Sequence, residues 1–433
     1  MFQKIKNLFF HLPKSIFYQA YYHFPAQKLT LIGITGTDGK TTTATLVYET
    51  LKNAGINAGV ITTISAKYDD HEIDTGLHMT SPDPSVIQKI FKTMVNTGVT
   101  HVICEVTAHA LDQYRFYGCH FAISAITNIS HEHLDYFKDM DEYLQTKAKI
   151  FNQSQICILN QDDPSYEKIL QKSPRDFLSY SINKKSDYQA TDITIKPKNL
   201  SFKIKKNNLI TDSSYRYQIY NILAAFSIID QLKIDPKFLI ETVRNFPITK
   251  GRREEVSNQL DIKAIVDFAH TPNAIKNTLE SLRETNKGKI IVIFGATGGR
   301  DQSKRPQMGL IASQLANIAI ITADDTRNEN IQDINQQIIN GIKPDSVLIN
   351  SAEIPIIKKT IKSNKNKFIY FNIPNRQDAF NLAIQLAEPK DTVIAMGKGH
   401  ENTILHGKTE FPWSETEAFR SAFKLRENKH AWI

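Results

Sequence analysis

Cysteine is scarce in this chain. Of 433 residues three are cysteines, Cys104, Cys119 and Cys157, an odd and widely spaced set without a C-x-x-C pair. That excludes a disulfide framework and suits a reducing cytoplasm. Long apolar runs are lacking too. No stretch approaches the ~20 residues that span a bilayer, and the N-terminus has no clean apolar core followed by a small-residue cleavage site. The protein is therefore expected to stay in the cytoplasm. No internal repeat marks a solenoid. The formal charge of +8 lies in Lys-rich segments such as residues 196–206 and 358–367, without interleaved aromatics. No reader motif accompanies that charge, so nucleic acid is not expected as a partner. It reads as solvated surface, with a phosphorylated, acidic substrate as a secondary reason.

What is present is a globular composition, 41% hydrophobic and 23% charged, in a chain too long for one ordinary core. Its most informative stretch is residues 29–43, LTLIGITGTDGKTTT. A buried-strand run leads into glycines spaced three apart, Gly33, Gly36 and Gly39, followed by Lys40 and Thr41. Such glycines let the backbone turn tightly and aim its N–H groups at phosphate, the lysine supplies positive charge, and the threonine hydroxyl can hold Mg²⁺. The strict pattern wants glycine where Ile34 stands, so the spacing is the variant G-x-x-G-x-x-G-K-T. A chance Gly-rich turn is the competing reading. The order strand, loop and helix-compatible continuation over residues 42–53 weighs against it.

Downstream, short β-rich runs at residues 58–62, 101–106 and 122–127 alternate with helix-compatible stretches, the pattern of a parallel sheet. A strand at 155–159 follows, then a Lys/Asn-rich region, 183–212, read as an antiparallel excursion or surface insert. Residues 221–232 are helical, and Phe246-Pro247 breaks the pattern ahead of Gly251. A second series opens with a strand at 262–267 and a helix capped by Thr271 with Pro272 in its first turn. It continues through strands at 289–294, 318–322, 346–348 and 392–396. The fold class is thus α/β: an N-terminal stub (1–26), a central phosphate-loop domain with a mainly parallel sheet (27–248), and a Rossmann-like C-terminal domain (249–433).

Polar clusters gather at the predicted strand ends. Glu105 ends a strand, where a Mg²⁺ ligand belongs in a sheet that also carries a phosphate loop, and His109 follows it. Asn128, Glu132, His133 and Asp135 crowd the next strand end. In the second half Asp267 and His270 lie between a strand and a helix N-terminus, and Arg300, Asp301, Lys304 and Arg305 lie beyond another strand. Residues 323–330 and 396–401 complete a ring of loops expected to face the first domain across a cleft. Any one of these loops reads equally well as solvated surface. Their joint placement points to a site.

Together these residues resemble the Mur ligases, and within them the UDP-N-acetylmuramoyl-tripeptide synthetases, over residues 27–425. The shared motifs run in family order: GTDGKTTT, TSPDP, EVTAHALDQYR, TNISHEHLDYF, YNILAA, GRREEV, DFAHTPNA, FGATGGRDQSKRPQMG, DDTRNEN and GKGHE. The resemblance implies an ATP-dependent ligase of peptidoglycan precursor synthesis, which phosphorylates a carboxylate and lets the amine of an amino acid attack the acyl phosphate. It implies ATP and Mg²⁺ as cofactors, a muramoyl-peptide-like acceptor and a free amino acid as partners, and a monomer. Lys40, Glu105, His133 and Lys147 would be the catalytic set. Gly36, Thr37, Gly39, Lys40, Thr41 and Thr42 would cradle the phosphates, and Thr41, Glu105, His133 and Lys147 would serve the metals. Lys147, in MDEYLQTKAKIF, stands where the family carries a carbamylated lysine. An ordinary exposed helical lysine is the competing reading there, with Lys149 as a decoy. Asn128, Asn221, Arg252, Asp267 and His270 would reach the nucleotide. Thr80, Ser81 and Arg115 would serve the acceptor, and Arg300, Asp324, Asp325, Arg327, Gly397 and Glu401 the amino acid.

Several residues depart from the family pattern: Asp38 replaces Asn, Thr107-Ala108 a Ser-Ser pair, Glu132 an Asp and Phe268 a common Tyr. The loop Asp324-Asp325-Thr326-Arg327 replaces the Asp-Asn-Pro-Arg that accompanies meso-diaminopimelate. Because the arginine survives, diaminopimelate is expected over lysine. The family's N-terminal uridine-binding domain is expected to be absent or reduced to the stub, which is rich in aromatics and holds Lys4, Lys6 and Lys14, with Lys28 just beyond it. Pro13 is expected to split any helix there. The stub reads either as a short helix packed on the core or as an interfacial anchor, a peripheral membrane contact with Phe2, Leu8, Phe9 and Phe10 at the lipid boundary. Two other functions compete: a relative acting on another substrate, such as a folylpolyglutamate-type ligase or one for a non-standard wall polymer, and a decayed nucleotide-binding regulator. Intact Lys40, Glu105, His133 and Lys147 weigh against the regulator.

Overall fold

The computed structural model describes residues 2–63, 65–69, 71–73, 81–172, 175–196, 199–213, 215–245 and 251–428. Thr80, the Phe246-Pro247 break and the side chain of Phe2 lie outside the described residues. Two compact units form, Met1–Ser130 with Phe137–Pro247, and His131–Tyr136 with Ile248–Ile433.

In the first unit the described residues form one sheet from β1 (Thr30–Thr35), β2 (Ala58–Ile61), β3 (Ala66–Tyr68), β4 (His71–Ile73), β5 (His101–Glu105), β6 (Phe121–Ile126), β7 (Ser154–Asn160), β8 (Leu178–Ser181), β9 (Tyr188–Lys196), β10 (Asn199–Ile204) and β11 (Asn207–Thr211). The order is β11-β10-β9-β8-β7-β6-β1-β5-β2-β3-β4. From β2 through β5, β1, β6, β7 and β8 to β9 every pairing is parallel. Antiparallel pairs finish both flanks. Central strands covered on both faces read as continuous apolar runs, which is why β1 and β6 were legible as strands. After β1 the chain moves toward β2, whereas after β6 it moves toward β7, so the crevice beyond the carboxyl ends of β1 and β6 is the switch point where α/β sheets bind ligands. The helix Gln218–Gln231 is apolar almost all round and correspondingly buried, with Ile219, Ile222, Leu223 and Phe226 in the same core as Leu46, Val47 and Tyr188.

The Lys/Asn-rich region forms the antiparallel meander β9–β11. Leu200, Phe202 and Ile204 turn inward, while Lys203 between them is exposed. At the start of the chain one expectation is corrected. Pro13 does not split the helix: Phe2–Lys6 is α-helical, Asn7–His11 makes a π-helical turn and Leu12–Tyr21 is α-helical again. A proline lacks an N–H and its ring excludes the carbonyl four residues back. The wider turn just before Pro13, closed by the Leu12 N–H on the Asn7 carbonyl, accommodates both.

The second unit holds β12 (Arg252–Val256), β13 (Lys263–Asp267), β14 (Ile290–Phe294), β15 (Ile318–Ile321), β16 (Val347–Leu348), β17 (Ile369–Asn372) and β18 (Thr392–Met396), in the order β12-β13-β18-β14-β15-β17-β16. The pairings are parallel except at the edge strand β12. A separate hairpin joins β19 (Thr403–His406) to β20 (Thr409–Pro412). The helix Pro272–Thr285 starts as expected, with Thr271 Oγ1 accepting from the Ala274 N–H at 3.0 Å. The motif GRREEV, by contrast, was not anticipated as the strand β12.

Candidate active site

The phosphate loop joins β1 to the helix Lys40–Asn53. Gly36 and Gly39 have φ of 148° and 83°. A Cβ would strike the Thr127 hydroxyl at the first and the Asn221 amide at the second, so both positions need glycine. Residues after β6 brace the loop. The Asn128 carbonyl accepts from the Thr37 N–H at 2.8 Å. Its side-chain oxygen accepts from the Asp38 N–H at 2.9 Å and its side-chain nitrogen donates to the Asp38 carbonyl at 3.0 Å. Thr127 Oγ1 donates to that same carbonyl at 2.6 Å. Lys40 Nζ folds back to donate to the Thr37 carbonyl at 2.8 Å. Thr42, half-buried, follows Thr41 in the first helical turn.

Glu105 is buried at the end of β5. Its register partner is Ile34 of β1, which sets the carboxylate beside the phosphate loop. Oε2 accepts from Thr41 Oγ1 at 2.9 Å and from the Thr63 N–H at 3.1 Å, while Oε1 accepts from Thr63 Oγ1 at 2.9 Å. Ser81 Oγ donates to the Glu105 carbonyl at 3.1 Å, and Arg115 donates to the Ser81 carbonyl. Ser81 and Arg115 therefore share a corner with Glu105. Lys147 is buried on the helix Met140–Ala148. Its Nζ donates to the Gly36 carbonyl at 2.6 Å and lies 4.6 Å from the centre of the Tyr143 ring. Lys149 instead pairs with Asp112 at 3.2 Å, partly exposed.

The oxygens of Thr41 and Glu105 are hard donors suited to Mg²⁺. Among the described residues no three His, Cys, Asp or Glu side chains gather into a cage. A Mg²⁺ ion does not need one, because it takes one or two protein carboxylates and completes its octahedron with phosphate oxygens and water.

In the second unit, His133 lies in left-handed backbone with φ of 60°, a conformation that costs roughly 1–2 kcal/mol. Its short segment is anchored by neighbours: Lys304 Nζ donates to the Glu132 carboxylate at 3.0 and 3.2 Å, and His131 Nε2 is 2.9 Å from Ser303 Oγ. Asp135 pairs more loosely with Arg300, at 3.8 Å.

Arg252 and Asp267 face each other across β12 and β13. The Arg252 guanidinium lies 4.5 Å from the centre of the Phe268 ring, and that ring stands 4.8 Å from His270 and 4.9 Å from His400. The three expected nucleotide residues of this unit thus meet around Phe268. Burial raises the Asp267 pKa against the pull of Arg252 and Arg253.

Lys398, fully buried, pairs with Asp325 at 2.7 Å and with Glu401 at 2.5 Å. Burial disfavours its charge, but Asp324, Glu401 and Asp325 outweigh that and hold its pKa above the ordinary value. Burial likewise opposes ionisation of Asp324, yet Lys398 and Arg376 keep its carboxyl below the usual range. Glu401 goes the other way, pushed up to about 7 by burial, with Lys398 only partly compensating. Arg376 ties these loops to the sheet: it donates to the Ala323 carbonyl at 2.7 Å, to the Met396 carbonyl at 3.0 Å and to Glu415 at 2.8 Å. Arg327 is held at φ of 50° by backbone bonds to Leu405 and Gly407 of the hairpin, at 3.3 and 2.8 Å. Burial, and then the charge of Arg300, lower its pKa.

Residues 34–229 match the Mur ligase middle domain, and residues 251–399 match the Mur ligase, glutamate ligase domain. A UDP-N-acetylmuramoyl-L-alanyl-D-glutamate–2,6-diaminopimelate ligase of Thermosynechococcus vestitus is 33% identical over 417 residues, which is 94% of this chain and 79% of the relative. The chain belongs to the Mur ligase family. Among solved structures, a ligase of that same description is similar with a TM-score of 0.62 at 24% identity, over 96% of this chain and 83% of that one. The folylpolyglutamate synthase of Mycobacterium tuberculosis is similar with a TM-score of 0.70 at 13% identity, over 89% of this chain and 92% of that one. At these identities the two structures speak for the fold. As a Mur ligase the chain is an ATP-dependent amino-acid ligase that uses Mg²⁺. Among the described residues no helix is long and apolar enough to cross a membrane.

Sequence reasoning did not single out Thr63, Tyr143, Lys398 or Arg376. Tyr143 precedes Lys147 by one helical turn, and Lys398 lies inside GKGHE, so both had a local signal. Thr63 and Arg376 reach the site through tertiary packing and had none.

Proposed function

We propose that this chain adds meso-diaminopimelate to a muramoyl-dipeptide-like acceptor, driven by ATP, in peptidoglycan precursor synthesis. In this reading the acceptor carboxylate attacks the γ-phosphorus of ATP and ADP leaves. The amine of the amino acid then adds to the acyl phosphate, and the tetrahedral intermediate expels phosphate and gives up a proton. Lys40 and the N–H groups of the loop bind the phosphates, with Asn128 fixing the loop's shape. Thr41, Glu105 and His133 would hold Mg²⁺, which when bound neutralises charge on the transferring phosphoryl group. Asn221, Arg252, Asp267 and His270 serve the nucleotide, and Ser81 and Arg115 the acceptor.

Lys147 acts as a carbamate in the same reading. Its neutral amine adds to CO₂ and releases one proton, which converts a cation into an oxygen ligand for a hard metal. Its burial against the Gly36 carbonyl supports a role at the phosphate loop.

One observation carries the choice of amino acid: Arg327 is fixed in left-handed backbone by the hairpin and feels the charge of Arg300. Two guanidinium groups in mutual repulsion favour a carboxylate between them, as at the far end of diaminopimelate, and disfavour the ammonium of lysine. Gly397 and Glu401 receive the distal amino group, and Asp324 and Asp325 also serve the amino acid. The enzyme works in this reading as a monomer in the cytoplasm, where three buried free thiols are at home. ADP release measured with candidate acceptors crossed against an amino-acid panel tests the whole. Turnover is expected to require a muramoyl-dipeptide-like acceptor and to be faster with meso-diaminopimelate than with L-lysine; the reverse order overturns the amino-acid choice.

A further inference from the structure

The helical segment at the start of the chain has its polarity inverted. A surface helix normally buries its apolar stripe and offers its polar face to water. Here the buried side chains are Asn7, Ser15 and Gln19. Asn7 donates to Asp112 at 2.6 Å and Gln19 donates to the Tyr117 carbonyl. Lys4 and Lys14 add ion pairs to Glu142 and Asp83, at 2.8 and 2.7 Å. The polar bonds specify how this segment docks on the first unit and fix its outward face.

That outward face is apolar. Phe9 is 74% exposed, Tyr21 62%, Phe17 59% and Phe10 57%, with Ile5 and Leu8 near one half. Of the fourteen large hydrophobic side chains exposed among the described residues, eight lie between residues 5 and 24. Single exposed apolar side chains are ordinary, whereas a concentration on one element marks an interaction surface.

Charge decides what covers it. Residues 2–28 contain four lysines and no Asp or Glu. Lys4 and Lys14 are paired with Glu142 and Asp83, whereas Lys6 and Lys28 are exposed. A second copy of the chain would bring a segment that has lysines and no carboxylate of its own against itself, because a two-fold interface pairs like with like. An anionic lipid surface complements the lysines, and the aromatic rings suit the boundary between headgroups and acyl chains. No described helix can cross a bilayer, so the segment would lie on the membrane. We propose that this helix seats the enzyme on an anionic lipid surface, with Ile5, Leu8, Phe9, Phe10, Phe17 and Tyr21 in the boundary layer. The proposal rests on the helix alone and is independent of the ligase reading.

Co-sedimentation of the full chain tests it, using vesicles of phosphatidylglycerol and phosphatidylcholine in equal parts and vesicles of phosphatidylcholine alone. Binding to the anionic vesicles is expected, weakening with salt, and much weaker binding to the neutral ones. Phe9→Glu with Phe17→Glu should reduce the anionic binding by about tenfold or more and leave turnover with a soluble acceptor unchanged. Phe10→Ser with Tyr21→Ser serves as an independent pair should the first fail to fold, and is expected to give the same loss. Three results would overturn the proposal: no binding by the unaltered protein, equal binding by a folded variant pair, or a dimer in sedimentation velocity that the substitutions dissociate.

Discussion

The Thr41 hydroxyl donates to Oε2 of Glu105 at 2.9 Å, joining the first turn of the helix after the phosphate loop to the end of the neighbouring parallel strand. Two hard oxygens are thereby held side by side where the switch point of the sheet would receive a nucleotide. Thr63 closes both carboxylate oxygens from the other side and fixes their orientation.

If this pair holds Mg²⁺, Thr41→Val should raise the half-saturating Mg²⁺ concentration by roughly 10–100-fold, the range for losing a group that orients or completes a metal site. Thr41→Ser should stay close to the unaltered enzyme. A titration of ADP release against Mg²⁺ measures this, and an unchanged midpoint for Thr41→Val would remove Thr41 from the metal site.

Lys147→Ala should lower kcat by about 10²-fold or more, the scale for deleting one preorganised electrostatic contact. A small carboxylate such as acetate should restore part of the loss, because it can occupy the vacated space as an oxygen ligand. The unaltered enzyme freed of CO₂ should lose activity and regain it with bicarbonate. Full activity of Lys147→Ala would show that the carbamate is not needed.

Much of this site was legible because its chemistry is local. Gly36, Gly39, Lys40 and Thr41 lie within one turn, and each has a reason visible in the sequence alone. Thr271 announced its helix for the same reason. The inverted N-terminal helix was not legible: Asn7 and Gln19 look solvent-facing until their partners Asp112 and Tyr117 are known, and those come from about a hundred residues away. Pro13 misled through a local rule that a π-helical turn evades. The edge strand β12 was hidden by Arg252, Arg253, Glu254 and Glu255, since a half-exposed edge needs no apolar run.

Arg376 and Glu415 form an ion pair that is almost wholly buried. Removing one partner strands the other, so Arg376→Met should destabilise the protein by about 3–5 kcal/mol. Adding Glu415→Leu should recover much of that, because an apolar pair leaves no buried charge behind. Denaturant midpoints of the two variants decide it. The bonds of Arg376 to Ala323 and Met396 should also show in a raised KM for the amino acid in Arg376→Met, since Asp324 and Gly397 follow those residues directly.

If Glu401 belongs to the amino-acid site, it makes that site sensitive to pH. Its carboxyl has an ordinary pKa of 4.5 and is raised to about 7, first by burial. Between those values the folded protein holds a proton that the unfolded chain has released, so stability falls as pH rises through this window and stays lower above it. Function follows the opposite course. If the Glu401 carboxylate receives the amino group of diaminopimelate, the neutral form present below pH 7 binds it poorly, and KM should rise by about tenfold per pH unit on the acid side. Glu401→Gln should flatten that dependence, with a high KM throughout, and should be more stable than the unaltered enzyme above pH 7. Initial rates across pH 5.5 to 8.5 at varied diaminopimelate, paired with thermal midpoints, test both halves. A KM independent of pH in the unaltered enzyme would take Glu401 out of the amino-acid site, and a stability that rises with pH through this window in the unaltered enzyme but not in Glu401→Gln would show that burial does not govern its charge.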